Sequence, residues 1–220
     1  SCSRKVLLIK SFKTYINNLG GKIYCCDIDI NSPALYFSDE FFICPKSDNE
    51  NYINFIKNKF IEKNIKLIIP TRCEELEVFS INKQYFLNLG INIMVCNNKS
   101  LNICQNKKKF IEFCIDNNYP IPKTYNKIEE IQKYPVFIKP VKGSSGKNIQ
   151  KINCKDELRL INFEYFVVQE FIDWKEYTID YLSDFDGNYI SCIPRERIKV
   201  INGESCVSKI NINEKITDLC

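Results

Sequence analysis

The rhythm of apolar runs changes once along this chain, near Asn97, and the change limits what each part can become. In the first hundred residues short apolar runs alternate with stretches whose apolar side chains recur at helical spacing. Residues 5–10 (KVLLIK) read as a buried strand. Phe12, Tyr15, Ile16 and Leu19 follow at helical spacing, and Gly20-Gly21 supplies a left-handed stop. Residues 23–27 and 41–44 read as further strands. Asp48 is placed to cap a helix whose inner face carries Tyr52, Ile53, Ile56 and Phe60. Residues 66–70 (KLIIP) form another strand, then Thr71-Arg-Cys-Glu74 has the spacing of a capping box, and residues 91–96 close the series. Strands alternating with helices imply parallel pairing in a doubly wound α/β layer.

Beyond Asn97 a helix over 106–118 carries Phe110, Ile111 and Cys114 and stops at Pro120 and Pro122. From Tyr134 strands follow one another at 136–139, 149–152, 165–170, 176–182, 189–193 and 206–212, with one helix at 156–160. Asp186-Gly187 and Asn202-Gly203 are hairpin-turn signals between such runs. This half is therefore α+β with antiparallel pairing.

Among 220 residues there is no histidine. That excludes Ser-His-Asp and Cys-His catalysis, histidine-bearing zinc sites and an imidazole pH switch, because the group supplying the chemistry is missing. Lys and Arg number 31 against 27 Asp and Glu, a net charge of +4 without the dense basic stripe of a nucleic-acid binder, so no nucleic acid is expected as partner. Twelve cysteines are scattered without a C-x-x-C pair, mostly within apolar runs such as Ile93-Met-Val-Cys96, and read as reduced core thiols of a cytoplasmic protein. No leading signal peptide is evident, and no apolar stretch approaches the roughly 18 residues of a membrane helix, so no membrane association is expected.

Two segments hold candidate chemistry. In Tyr134-Pro-Val-Phe-Ile-Lys-Pro-Val-Lys-Gly-Ser-Ser-Gly-Lys147 a strand ends in Lys139 and a turn of small residues follows: Gly143, Ser144, Ser145 and Gly146. Glycine backbone lets N–H groups approach an anion, serine hydroxyls add donors, and Lys139, Lys142 and Lys147 supply charge, which makes a phosphate cradle. The spacing is not that of a Walker A loop, and the same residues also suit an ordinary hairpin with solvated lysines. In Val167-Val-Gln-Glu-Phe-Ile-Asp-Trp-Lys-Glu-Tyr-Thr-Ile-Asp180, Glu170 ends one strand and Glu176 begins the next. Both can face one cleft, where the strand edge at 170–172 suits an adenine and a carboxylate suits ribose hydroxyls; taken alone, two glutamates at strand ends are usually just solvated.

In combination these segments resemble the ATP-grasp superfamily, and within it the carbamoyl-phosphate-synthase-like carboxylate–amine ligases. Cys25-Cys-Asp-Ile-Asp-Ile-Asn-Ser-Pro-Ala34, Ile68-Ile-Pro-Thr71 with Glu74-Glu-Leu76, and Asn106-Lys107 before Ile121-Pro-Lys-Thr124 are similar to that family's pre-ATP-grasp domain and its junction. The resemblance implies a Rossmann-like pre-ATP-grasp domain at 1–98 and an α+β ATP-grasp domain at 99–220, with its lid over 134–182. It implies that Lys107 touches ATP phosphates, with Asn106 standing where the family usually has Asp and Lys108 as a substitute. Lys139 then contacts the α- and β-phosphates, Gly143, Ser144, Ser145 and Gly146 fold over the triphosphate, and Glu170, Phe171 and Ile172 receive adenine. Glu176 binds ribose. Arg195 and Arg197 lie where relatives place arginines near an acyl phosphate, or are exposed strand charges.

What the resemblance implies for activity is an ATP-dependent ligase that activates a carboxylate as its acyl phosphate and transfers it to an amine, forming an amide. The alternative is a nucleotide-binding subunit without catalysis. The family holds Mg²⁺ through an E-x-N segment lying beyond the position of Cys220, so no metal ligand is expected within residues 1–220, the final sheet is expected to be incomplete and the 220 residues alone inactive. Ile212-Asn-Glu214 has the wrong order for that segment. Expected partners are a small-molecule carboxylate and amine of amino-acid type, and a second copy or a partner chain supplying the remainder. No G-x-G-x-x-G supports NAD.

Overall fold

The computed structural model describes residues 2–143, 146–201, 203–212 and 214–217, and the chain divides into two compact units, 1–101 and 102–220. The first unit opens on helix α1 (Val6–Asn18), not on a strand. Four apolar residues in a row fit either conformation. Their burial decides: Val6, Ile9, Phe12 and Ile16 turn inward at helical intervals while Leu7 is 80% exposed. The expected stop is present. Gly20 has φ +74°, its N–H donates to Asn17 and that of Gly21 donates to Ile16, which satisfies the last carbonyls of the helix.

Strands β1 (Tyr24–Asp27) and β2 (Glu40–Ile43) pair in parallel, Tyr24 opposite Glu40. Helix α2 (Tyr52–Glu62) buries Tyr52, Ile56 and Phe60, as its spacing predicts. It is not capped by Asp48; Asn51 takes the cap position, and the Asn49 side chain accepts from the Asn51 N–H at 2.9 Å. Strands β3 (Leu67–Ile68) and β4 (Asn92–Ile93) form a second parallel pair, separated by helices α3 (Cys73–Ile81) and α4 (Lys83–Asn88). The cap position of α3 falls to Arg72 and not to Thr71, so the capping box is out of register by one residue. Helix α5 (Asn98–Gln105), which the sequence reading missed, spans the division between the units.

The core of this unit joins Tyr52, Ile56, Phe60, Ile68, Phe79, Phe86 and Ile93. Phe86 and Ile56 are fully buried, each contributing about 1.5–3 kcal/mol through apolar area removed from water. Because successive strand residues face opposite sides, adjacent Cys25 and Cys26 serve different clusters: Cys25 packs with Cys2, Ile9 and Leu35, and Cys26 packs against the larger core. Among the described residues no cysteine is joined in a disulfide. The expectation of core thiols holds for Cys2, Cys25, Cys44 and Cys114 but fails for Cys73, Cys96, Cys104, Cys154 and Cys206, which are exposed.

The second unit begins with helix α6 (Lys107–Asp116), whose N-cap Asn106 accepts from the Lys108 and Lys109 N–H groups. Strands β5 (Thr124–Tyr125), β6 (Val136–Pro140), β7 (Gln150–Ile152) and β8 (Phe166–Glu170) make an antiparallel sheet of order β5-β8-β6-β7. Helix α7 (Lys155–Leu158) buries Leu158 against one face of it, together with Val136, Ile138, Ile152 and Val168. Strands β9 (Tyr177–Ser183), β10 (Tyr189–Ile201) and β11 (Glu204–Ile210) form a second antiparallel sheet of order β11-β10-β9, followed by helix α8 (Glu214–Thr217). Strand β10 runs eight residues past the predicted end at 193, because its second half pairs with β11. No helix among the described residues is long and apolar enough to cross a membrane.

Candidate nucleotide site

The alternation that buries Val136 and Ile138 sends Phe137 and Lys139 to the opposite face of the sheet. On that face Lys139 stands opposite Val167 on β8, and Phe137 stands opposite Gln169 on β8 and Lys151 on β7. Gln169 is 3% exposed and its amide donates to Thr124 Oγ1 at 2.9 Å, which ties β5 to the same surface. A polar, largely buried sheet face with a lysine at its strand end is the platform of the site.

Helix α6 delivers the second cation. The Lys107 backbone N–H donates to Val141 at 3.0 Å, joining the helix start to the chain just past β6. Its Nζ then reaches the Gly143 carbonyl at 3.0 Å. Burial holds the Lys107 ammonium below its ordinary value, and Lys139 is lowered by its own burial and by repulsion from Lys107. Two half-buried ammonium groups stand here, Lys107 lowering the protonation of Lys139, and among the described residues neither is paired with a carboxylate, so an anion placed there meets uncompensated positive charge. Asn106 keeps the geometry that an Asp would give, since either side-chain oxygen can accept from the first-turn N–H groups. Lys108 lies elsewhere, lining a separate cavity of about 440 Å³ with Ile111, Tyr125 and Phe166.

The turn after Lys139 is described at Gly143 and Gly146; Ser144 and Ser145 lie outside the described residues. Gly146 has φ +67° and packs against Gly203, where an added Cβ would come within 3.7 Å of the Gly203 Cα.

At the other end of the sheet, the sequence lets Glu170 and Glu176 face one cleft. The structure instead turns the Glu170 carboxylate back to accept from the Lys123 N–H at 2.8 Å, while the Glu170 N–H donates to the Lys123 carbonyl at 2.9 Å. The side chain therefore fixes the β5–β8 edge. Phe171 lies under Lys151, whose Nζ is 4.1 Å from the ring centroid, a cation–π contact that holds the ring over the polar face. Ile172 is partly exposed beyond it.

Glu176 precedes β9 and forms an ion pair with Arg197 on β10, and Arg195 on the same strand grips Asp180 and donates to Ser208 at 2.8 Å. Cross-strand register explains the pairing: Arg195 stands opposite Thr178, and the Arg197 N–H donates to the Glu176 carbonyl at 2.8 Å. The Arg195 guanidinium holds the Asp180 carboxyl below its ordinary range. Both arginines are thus engaged in ion pairs with carboxylates of the neighbouring strand segment. Sequence reasoning missed Lys151 and Asp180. The alternation of β7 is the signal for Lys151, whereas no local pattern reveals which acid Arg195 meets. Among the described residues no three Cys, Asp or Glu side chains converge to hold a metal ion.

Comparison with known proteins matches the two units to separate families. The PylC-like N-terminal domain matches residues 1–94, and the ATP-grasp domain matches residues 104–220. A formate-dependent phosphoribosylglycinamide formyltransferase of Prochlorococcus marinus is 26% identical over 219 residues, covering 87% of this chain and 54% of the relative. The alpha-aminoadipate–LysW ligase LysX of Saccharolobus solfataricus is 35% identical over 119 residues, covering 50% of this chain and 41% of that protein. The chain thus spans about half the length of the curated relatives it matches. Among solved structures, N5-carboxyaminoimidazole ribonucleotide synthetase from Thermotoga maritima superposes with TM-score 0.65 at 20% identity, covering 96% of this chain and 55% of that one. An L-amino acid ligase from Bacillus licheniformis superposes at 0.61 with 19% identity, covering 91% and 51%. At such identities the structural likeness establishes the fold.

Proposed function

Because the chain belongs to the ATP-grasp family, we propose that it forms the nucleotide-binding part of an ATP-dependent carboxylate–amine ligase. The observation that carries this reading is the pair of depressed ammonium groups, Lys107 and Lys139, set beside the Gly143 carbonyl at the end of β6. In this reading the triphosphate lies across the two lysines and the turn through Gly143 and Gly146. Adenine meets the chain at Phe171 and Ile172, and ribose meets Glu176. Gln169, Phe137 and Lys151 form the floor.

The chemistry such a site serves is positional. A carboxylate oxygen attacks the γ-phosphorus as its bond to the bridging oxygen breaks, giving an acyl phosphate and ADP. An amine nitrogen then attacks the acyl carbon, phosphate leaves, and the nitrogen gives up a proton as the amide forms. The lysines offset charge on the phosphoryl oxygens, and no side-chain nucleophile is needed, in keeping with the absence of histidine. Magnesium supplies further charge neutralisation in phosphoryl transfer. The described residues do not fit it, since no three acidic or thiol groups converge, and no step is assigned to a metal held by this chain. The names of two similar proteins, an α-aminoadipate ligase and an L-amino acid ligase, support amino acids as the substrate class.

The reading is tested in two steps. Calorimetric titration of the chain with ATP is expected to show saturable binding that Lys139→Met weakens strongly; no heat with the folded wild type would overturn it. Incubation of the whole polypeptide with ATP, an amino acid and hydroxylamine is expected to yield a hydroxamate, because hydroxylamine captures acyl phosphates. ADP release without hydroxamate from any amino acid would overturn the ligase assignment.

A further inference from the structure

Arg197 joins two separate segments of the second unit through three hydrogen bonds. Its Nη1 is paired with Glu176 Oε1, its Nη2 donates to the Gly203 carbonyl at 2.6 Å, and its backbone N–H donates to the Glu176 carbonyl. The Arg197 side chain is 15% exposed while that of Glu176 is 63% exposed. A half-buried, planar guanidinium held at two points is therefore orienting a carboxylate that would otherwise swing freely in solvent. Only one oxygen of Glu176 is engaged among the described residues, which leaves Oε2 to accept from a ligand. Gly203, the other anchor, is itself packed against Gly146 at the end of the phosphate-side turn. The Arg197 Nε is buried with no partner, an unusual cost for a strand arginine without a task.

We propose that Arg197 is the positioning residue for ribose recognition. It fixes the Glu176 carboxylate so that its unpaired oxygen accepts from the ribose hydroxyls of a nucleoside triphosphate. This rests on the nucleotide reading above and adds that discrimination for the sugar resides in the Arg197–Glu176 pair, separately from the lysines that hold the phosphates. A carboxylate that must be ordered on binding gives up part of the selectivity that a pre-oriented one retains.

The test compares ATP, 2′,3′-dideoxy-ATP and inorganic tripolyphosphate as ligands of the 220-residue chain. Trp174, the only tryptophan and 84% exposed two residues before Glu176, reports binding by fluorescence, with calorimetry alongside. The wild type is expected to prefer ATP over the dideoxy nucleotide by about ten- to hundred-fold, the worth of a hydrogen bond to a charged group. Arg197→Met is expected to bring that ratio near one while tripolyphosphate binding stays unchanged. Glu176→Gln should do the same, and the double variant should lose nothing more. An Arg197→Met protein that keeps the wild-type ratio, or that loses tripolyphosphate in equal proportion, overturns the proposal. If that variant does not fold, Arg197→Lys carries the test: a reduced ratio with tripolyphosphate unchanged supports it, and an unchanged ratio overturns it. Wild-type chain that binds neither ATP nor tripolyphosphate overturns the nucleotide reading itself, whereas binding of both without sugar preference overturns only this inference.

Discussion

The Lys107 side chain crosses from the first turn of α6 to donate to the Gly143 carbonyl at 3.0 Å, thirty-six residues further along the chain. That contact sets the distance between a helix start and a strand end, and it brings Lys107 close enough to Lys139 to lower its protonation. The two lysines act as one cationic element built from different elements of structure.

Replacing either lysine by methionine removes a charge-assisted contact while keeping most of the side-chain volume. Lys139→Met and Lys107→Met are each expected to weaken ATP binding by about 1.5–3 kcal/mol, roughly ten- to hundred-fold in Kd. Titration calorimetry checks this, with Lys142→Met as the comparison. Equal losses for all three would mean that only overall charge matters.

The depressed lysines give a pH dependence of definite sign. A bound phosphate favours the ammonium form, so ATP affinity is expected to be level near neutrality and to fall as pH rises through the lowered values, beginning below the ordinary 10.5. Folding responds in the opposite direction. A lysine whose folded value lies below its unfolded one destabilises the fold while charged, and that penalty fades as pH rises toward 10.5. Binding titrations at several alkaline pH values should show proton uptake with ATP; proton release would contradict the arrangement.

Glu170 is expected to behave as a structural residue. Its carboxylate is committed to the Lys123 N–H, so Glu170→Ala should lower stability by about 0.5–1.5 kcal/mol. The affinity of the folded fraction for ATP should stay near wild type. Chemical denaturation combined with ATP titration separates these outcomes, and a large loss of affinity at unchanged stability would return the side chain to the ligand.

Thiol chemistry reports on packing. Cys73, Cys154 and Cys206 are expected to alkylate rapidly in the native protein, while Cys25, Cys44 and Cys114 react only on unfolding. Peptide mapping by mass spectrometry after timed iodoacetamide exposure reads this directly. Fast native labelling of Cys114 would show that α6 is not seated on its apolar face.

The sequence alone determined the parts of this protein that depend on local pattern. The alternation through residues 136–139 specified a half-buried strand ending in Lys139, and Gly20-Gly21 specified where α1 stops, because side-chain periodicity and backbone freedom are properties of a few consecutive residues. The apolar run at 6–9 stayed ambiguous for the same reason, since four residues fit a strand or a helix until neighbours decide which are covered. Tertiary structure alone decided that Glu170 turns to Lys123, that Lys107 meets Gly143, and that Arg195 and Arg197 hold Asp180 and Glu176. Those pairings depend on strand register and on how distant segments close upon one another, and a charge in the sequence carries no mark of the partner it will meet.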